Sequence, residues 1–232
     1  MCKDDISTLS NLNLTSENIS KLALEVGFDA CAVAPVRRLD DDAQFMNNWI
    51  KQGLHGEMDY LERNCDKRYD PAMLVPGAQT VVVCLLSFEH SGRDYHRRVK
   101  SLLYTLEAKL KEAYGEDIVS TTHQHIFCDS APMLERRWCV EAGLGFIGKN
   151  HQLIHPNLGS LVHPGEIVLN KSVIRDRISE IDKGCGDCKL CLDACPTGAL
   201  RNEVWDAREC VAYATHHCLE CQIVCPYNNC KS

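Results

Sequence analysis

Eight cysteines near the end of the chain carry its clearest chemistry. In Cys185-Gly-Asp-Cys188-Lys-Leu-Cys191-Leu-Asp-Ala-Cys195-Pro196 the thiols are separated by two, two and three residues, and a proline closes the run. Bacterial ferredoxins ligate [4Fe–4S] cubes with this pattern: three thiolates on a tight loop cap one cube, and the fourth cysteine serves a second. A second run, Cys218-Leu-Glu-Cys221-Gln-Ile-Val-Cys225-Pro226, repeats the last three cysteines and the proline, but has Thr215 at the first position. Cys210, five residues earlier, is the nearest substitute. Crossing the runs in ferredoxin fashion predicts Cys185, Cys188, Cys191 and Cys225 on one cluster. It predicts Cys195, Cys210, Cys218 and Cys221 on the other. His216 and His217 stand close enough to compete for the place given to Cys210. Zinc would call for two separated pairs of ligands, and disulfides for an oxidising compartment.

A double-cluster module uses only the end of a 232-residue chain, so a sizeable domain precedes it, and a 45% hydrophobic composition is enough for its core. The predicted division is 1–174 for that domain and 175–232 for the module. Of the fifteen cysteines, the seven outside the runs (Cys2, Cys31, Cys65, Cys84, Cys128, Cys139, Cys230) have no paired spacing and read as small hydrophobes. The start, Met1-Cys2-Lys3-Asp4-Asp5, has no apolar signal segment, and the longest apolar run, Val81 to Leu86, is too short for a bilayer. These features predict a cytoplasmic protein with reduced thiols. The net charge of −7 gives little sequence-independent attraction to nucleic acid. Its best basic stretch, Arg93 to Lys100, reads as a solvated helix face before it reads as an RNA contact.

The elements that must position this chemistry follow in order. Thr15-Ser16 with Leu22, Ala23, Val26 and Gly27 reads as a capped amphipathic helix, and Phe28 to Val36 as a strand. Helical patterns cover Asp40 to Lys51 and His55 to Arg63, and Asp70-Pro71 and Pro76-Gly77 mark turns. Thr80 to Phe88 has no polar alternation and reads as a strand buried on both faces. A long helix spans Asp94 to Tyr114, one or two strands lie in Ile118 to Cys128, and Asp129-Ser130-Ala131-Pro132 opens another helix. Ile154 and Glu166 to Leu169 are closing strands, and Arg175 to Lys183 is a polar connector. The expected fold is a layered α/β (α+β) domain followed by a ferredoxin-like double [4Fe–4S] module.

Two patterns mislead. Gly143-Leu-Gly145-Phe-Ile-Gly148 fits the dinucleotide motif, but a helix leads into it where a strand is required. Asp94-Tyr-His96 begins a corrinoid-ligand pattern whose glycine is replaced by Val99.

Several stretches are specific in combination: His55-Gly-Glu-Met-Asp-Tyr-Leu-Glu-Arg63, Leu74-Val-Pro-Gly77, Gly92-Arg-Asp-Tyr-His96, Asp129-Ser-Ala-Pro-Met-Leu-Glu-Arg136 and Ala142-Gly-Leu-Gly-Phe-Ile-Gly-Lys-Asn150. With Gly159-Ser160, Gly165-Glu166 and both cysteine runs in this order, the chain resembles the epoxyqueuosine reductase family from about residue 17 to Tyr227. The resemblance implies two [4Fe–4S] clusters and a cobalamin cradled by a front domain related to reductive dehalogenases. It also implies completion of queuosine in tRNA, with electrons from a low-potential donor. Asp129 is then the catalytic acid, and Tyr95 and His96 lie near the substrate. Arg63, Arg136, Lys149, Leu153 and Ser160 would contact the corrinoid, and Asn150 is a further candidate. A carboxylate at a helix N-terminus is favoured in its charged form, so an acid there needs burial to hold its proton. Seven residues separate Cys210 from Cys218, fewer than is usual in the family, and the sequence ends at Ser232 without the helical repeats that help to grip tRNA. A ferredoxin-type electron carrier and a dehalogenase-like enzyme for small molecules are the alternatives.

Overall fold

Thr80–Ser87 (β2) organises the first domain, and all eight of its residues are buried. The computed structural model describes residues 13–92, 94–175, 184–201, 204–215 and 217–229. Met1 to Asp5, Arg93, His216, Cys230 and all but the first residue of the connector Arg175 to Lys183 lie outside them. Strand side chains alternate between faces, so Val82, Cys84 and Leu86 join one core while Val81, Val83 and Leu85 join another. A strand with helices on both sides needs no polar alternation.

Ala30–Pro35 (β1), β2, Val162–Leu169 (β6) and Ile126–Phe127 (β3) form a sheet in the order β1-β2-β6-β3, antiparallel throughout. The architecture is therefore the α+β form of the expected layers. Pro164 falls where β6 has only β2 beside it, because β3 pairs no further than Glu166; a residue without an N–H is tolerated there. Ser16–Val26 (α1) and Tyr95–Tyr114 (α5) cover one face, burying Ile19, Ala23, Val99, Leu103 and Leu106. Thr15 Oγ1 accepts the Asn18 N–H at 3.2 Å and Gly27 ends α1 at φ 113°, so both predicted caps form. Glu135–Glu141 (α6) packs Trp138 and Cys139 on the opposite face. A two-stranded sheet, Phe146–Ile147 (β4) with Leu153–Ile154 (β5), adjoins it.

Asp40–Lys51 (α2) has its predicted bounds. The segment His55 to Arg63 is mostly turns with one 3-10 turn at Asp59–Leu61, and Cys65–Tyr69 (α3) follows. Ile118 to Cys128 yields only the two-residue β3 and an isolated bridge from Val119 to Leu169. Phe88–Ser91 (α4) is a short turn after β2. The cysteine-rich part consists of one-turn helices: Leu190–Asp193 (α7), Val211–Thr215 (α8), Glu220–Ile223 (α9) and Pro226–Asn229 (α10). It is tied to the first domain by the Trp49 indole N–H on Trp205 O (2.6 Å), the Ala207 N–H on Leu54 O (2.8 Å) and the Glu57 N–H on Tyr213 Oη (2.8 Å). Among the described residues no helix is long and apolar enough to cross a membrane.

Candidate redox and acid site

Asp129 does not cap a helix. The helix expected at Asp129 begins only at Glu135, with Leu134 before it, because Ala131 and Pro132 lie in an irregular bend. Helix-dipole stabilisation therefore does not apply to Asp129, since that effect fades within one turn. Asp129 instead has φ 50°, a left-handed conformation that Asp and Asn tolerate better than most residues. Its amide donates to Glu135 Oε1 at 2.6 Å, and the Tyr95 hydroxyl donates to its Oδ2 at 2.7 Å. His96 Nε2 lies 3.8 Å from the same oxygen. Tyr95 and His96 come from the first turn of α5, whose N-cap Asp94 accepts the Arg97 N–H at 3.1 Å. Tyr95 stacks on His163 with ring centroids 3.8 Å apart, and His163 stacks on Phe88 at 4.3 Å. Burial pushes His163 down to about 4, so this imidazole is neutral at pH 7.

The structure folds the second cysteine run back onto the first. Cys185, Cys188, Cys191 and Cys225 line one cavity of about 80 Å³, together with Ile154, Leu190 and Tyr227. Cys225 belongs to the second run, so that run folds back onto the first. Cys195, Cys210 and Cys218 neighbour Cys221, whose thiol is pushed up to about 11, mainly by burial and further by those groups and Cys191. Among the described residues no three His, Cys, Asp or Glu side chains converge on a point suited to a single metal ion. Thiols spread around a cavity suit a cube of iron and sulfide, whose ligands are further apart than those of zinc. His217 is exposed, and its amide turns back onto Thr215 Oγ1 at 3.3 Å.

The expected corrinoid contacts separate into two sets. Arg63 and Arg136 are exposed, and Arg136 Nη1 donates to His151 O at 3.1 Å. Lys149 faces the cysteine module: its amide donates to Cys185 Sγ at 3.4 Å and its ammonium to Gly186 O at 2.9 Å. Asn150 Nδ2 donates to Cys221 O at 3.2 Å. Leu153 is a core residue of β5, only 3% exposed. Ser160 is also buried: its hydroxyl accepts from Asn228 Nδ2 at 2.9 Å and its carbonyl from Gln222 Nε2 at 2.8 Å. Those bonds make Ser160 a joint to the second cysteine run, with little surface left for a cofactor. The glycine-rich decoy also has a structural cause. A Cβ on Gly145 would overlap Ile154 O, so that glycine lets β4 and β5 approach.

No spacing in the sequence marks Glu135 or Glu166 as functional. A signal was there: Glu166 is a lone charge inside the apolar strand Glu166 to Leu169, and a charge fully buried without a partner is rare. Glu166 is 0% exposed and Glu135 7% exposed. Burial and the adjoining Asp129 carboxyl push Glu135 up to about 8, and burial raises Glu166 well above the usual carboxyl range.

An α+β domain carrying a bonded Asp–Tyr pair, joined to a module whose two cysteine runs fold onto each other, defines an iron–sulfur oxidoreductase. Residues 184–217 match the 4Fe-4S double cluster binding domain. The epoxyqueuosine reductase of Cyclobacterium marinum is 33% identical over 257 residues, covering 95% of this chain and 81% of the relative. That of Leadbetterella byssophila is 32% identical, covering 92% and 80%. The chain belongs to the epoxyqueuosine reductase family. An epoxyqueuosine reductase solved with an epoxyqueuosine-modified tRNA-Tyr stem loop superposes with TM-score 0.80 at 27% identity, and this chain spans 93% of its own length and 66% of that protein's. The catabolic reductive dehalogenase NpRdhA shares the fold, with TM-score 0.59 at 15% identity.

Proposed function

We propose that this chain reduces epoxyqueuosine in tRNA to queuosine, with Asp129 as the proton donor. One observation carries the reading: Arg136 stands between the acid and the first cysteine set. The Tyr95-bonded Asp129 carboxyl acts electrostatically on Arg136, Arg136 Nη1 donates to His151 O at 3.1 Å, and two residues before His151 the Lys149 amide donates to Cys185 Sγ. A cofactor lying between Asp129 and Cys185 has a proton source at one end and an electron source at the other.

Cys185, Cys188, Cys191 and Cys225 would hold one [4Fe–4S] cluster, and Cys195, Cys210, Cys218 and Cys221 the other. Arg63, Arg136 and Lys149 would border a cobalamin. When bound, these groups supply low-potential electrons and a reducing cobalt centre. The chain's own residues do the rest. Tyr95 orients the Asp129 carboxyl, and Asp129 protonates the departing epoxide oxygen, since an alkoxide is a poor leaving group. The neutral His163 is sandwiched between Phe88 and Tyr95 and so fixes the Tyr95 ring whose hydroxyl holds Asp129. Exposed Arg97 and Arg98 in the first turn of α5 suit the flanking phosphates. Electrons come from a low-potential donor, and a tRNA substrate puts the reaction in the cytoplasm. Residues 1–174 and 175–232 remain the proposed division of labour.

The test is anaerobic reconstitution with iron, sulfide and cobalamin, then incubation with an epoxyqueuosine-modified stem loop and a chemical reductant. Mass spectrometry should register loss of one oxygen atom. Cobalamin uptake without that loss would sink the tRNA substrate and favour a small-molecule reductase. Clusters without cobalamin uptake would leave an electron carrier.

A further inference from the structure

Removing an epoxide oxygen as water to leave an alkene consumes two electrons and two protons. The electrons come singly from low-potential iron–sulfur donors on the reading above. Asp129 can supply one proton per charge, and no second exposed acid lies against it among the described contacts. Behind it, however, two more carboxyls run inward. Glu135 Oε1 accepts the Asp129 N–H at 2.6 Å, and the Glu166 carboxyl adjoins that of Glu135. Both glutamates are buried, and neither Glu166 oxygen has a hydrogen-bond partner among the described residues. Adjoining buried carboxyls without partners are favoured in their protonated form.

We infer that Glu135 and Glu166 are an internal proton store that recharges Asp129 within one turnover. The inference rests on the reading of Asp129 as proton donor. In the first transfer the Asp129 O–H bond breaks and the substrate oxygen gains the proton. Glu135 then gives its proton to the Asp129 carboxylate, and Glu166 shares its own with Glu135. Asp129 delivers the second proton and the oxygen leaves as water. Solvent protons refill the store through Asp129 after product release, because Glu166 itself is sealed from solvent.

The groups around the store support this direction. Glu135 faces Asp129 from the preceding loop, Arg136 and Cys139 from its own helix, and Glu166 from β6. Cys128 lies beside all three carboxyls with Lys100 of α5 nearby, Cys84 of β2 adjoins Glu166, and Tyr95 lies beyond Asp129. Among the described residues Arg136 and Lys100 bring fixed positive charge to this set, and His96 Nε2 lies 3.8 Å from Asp129 Oδ2 at its outer end; the groups facing Glu135 and Glu166 from inside are acids or thiols, so the interior favours protonated carboxyls. The glutamates act through Asp129, so they are positioning residues for the proton and not catalytic ones.

The test uses the reconstituted 232-residue chain and the variants Asp129→Asn, Glu135→Gln and Glu166→Gln. Glutamine keeps an acceptor for the Asp129 amide but carries no acidic proton. Wild-type kcat should fall above about pH 8, following Glu135. Glu135→Gln should lower kcat by about 100-fold with KM nearly unchanged and should abolish that alkaline limb. Independently of turnover, infrared difference spectra of the wild type at pH 7 should contain a deuterium-sensitive carboxylic-acid band, and each glutamine variant should lose part of it. Wild-type kcat and an intact alkaline limb in Glu135→Gln, or no acid band at pH 7, would overturn the store. If Glu135→Gln fails to fold, the wild-type and Glu166→Gln spectra decide. Full activity in Asp129→Asn would overturn the proton-donor reading together with the store. An inactive Asp129→Asn beside a normal Glu135→Gln would overturn the store alone.

Discussion

At Asp129 a single side chain is asked to bond, to hold a strained backbone and to move a proton, and substitutions can separate these tasks. Asn tolerates φ 50° and accepts from Tyr95 as Asp does. Asp129→Asn should therefore melt near the wild type while losing at least about 100-fold in kcat. Asp129→Ala should also lose about 1 kcal/mol of stability, because alanine is strained at positive φ; chemical denaturation measures both. Glu135 carries a stability signature of its own. Its folded value of about 8 lies above the ordinary 4.5, so between the two the folded chain binds more protons than the unfolded one. Stability then falls as pH rises through that window and levels off above it. Glu135→Gln should flatten the slope, leaving the variant more stable than the wild type at pH 8 by about 1–3 kcal/mol. Unfolding between about pH 6 and pH 8 checks it, and an unchanged slope would mean that Glu135 is ionised in the folded state.

Helices and strands joined by tight, chemically explicit ends were the most legible elements. The Thr15 and Gly27 caps bound α1, α2 begins at Asp40 and ends at Lys51 as expected, and the unbroken apolar run of β2 reflects cores on both faces. Ile118 to Cys128 was misleading because its apolar residues mostly lie in irregular chain against β6, where burial does not require pairing. The shift of α6 from Asp129 to Glu135 was equally hidden, since only tertiary bonds from Tyr95 and Glu135 hold that loop open. The joint between β5 and the second cysteine run was invisible for the same reason. It depends on Gly159, at φ 71°, where a Cβ would overlap Asn228 Oδ1 and come within 2.8 Å of Tyr227 O. Gly159→Ala should cost about 1–3 kcal/mol. It should also loosen Asn228 and Gln222 from Ser160, and iron content after reconstitution should fall even though no cysteine has changed. Full iron with wild-type stability would show that the joint is dispensable.

Across the whole molecule, Cys225 of the second run lies beside Cys185, Cys188 and Cys191 of the first, which ties the ends of the module to each other. Spacing alone predicted the crossing, because a C-x2-C-x2-C-x3-C-P run directs its fourth cysteine to the other cluster. The fold supplies what spacing does not: the cavity of Cys185, Cys188, Cys191 and Cys225 is also lined by Asn150 and Ile154 of the first domain. On the proposed reading that cavity would hold the exit cluster, toward Asp129, and the set around Cys221 the entrance cluster. Single substitutions in the second run should therefore not act alike. Cys225→Ala removes a ligand from the exit cluster, whereas Cys218→Ala removes one from the entrance cluster. Each should reduce reconstituted iron by about half, the share of one cube of two. Cys225→Ala and Cys185→Ala should give the same residual EPR signal after reduction, and Cys218→Ala and Cys195→Ala should share the other. Uncrossed ligation would instead pair Cys225 with Cys218 and Cys185 with Cys195, so the four spectra decide between the two wirings. Under the crossed wiring, Cys225→Ala should also block electron delivery to the first domain while Cys218→Ala leaves the exit cluster reducible by a small chemical reductant.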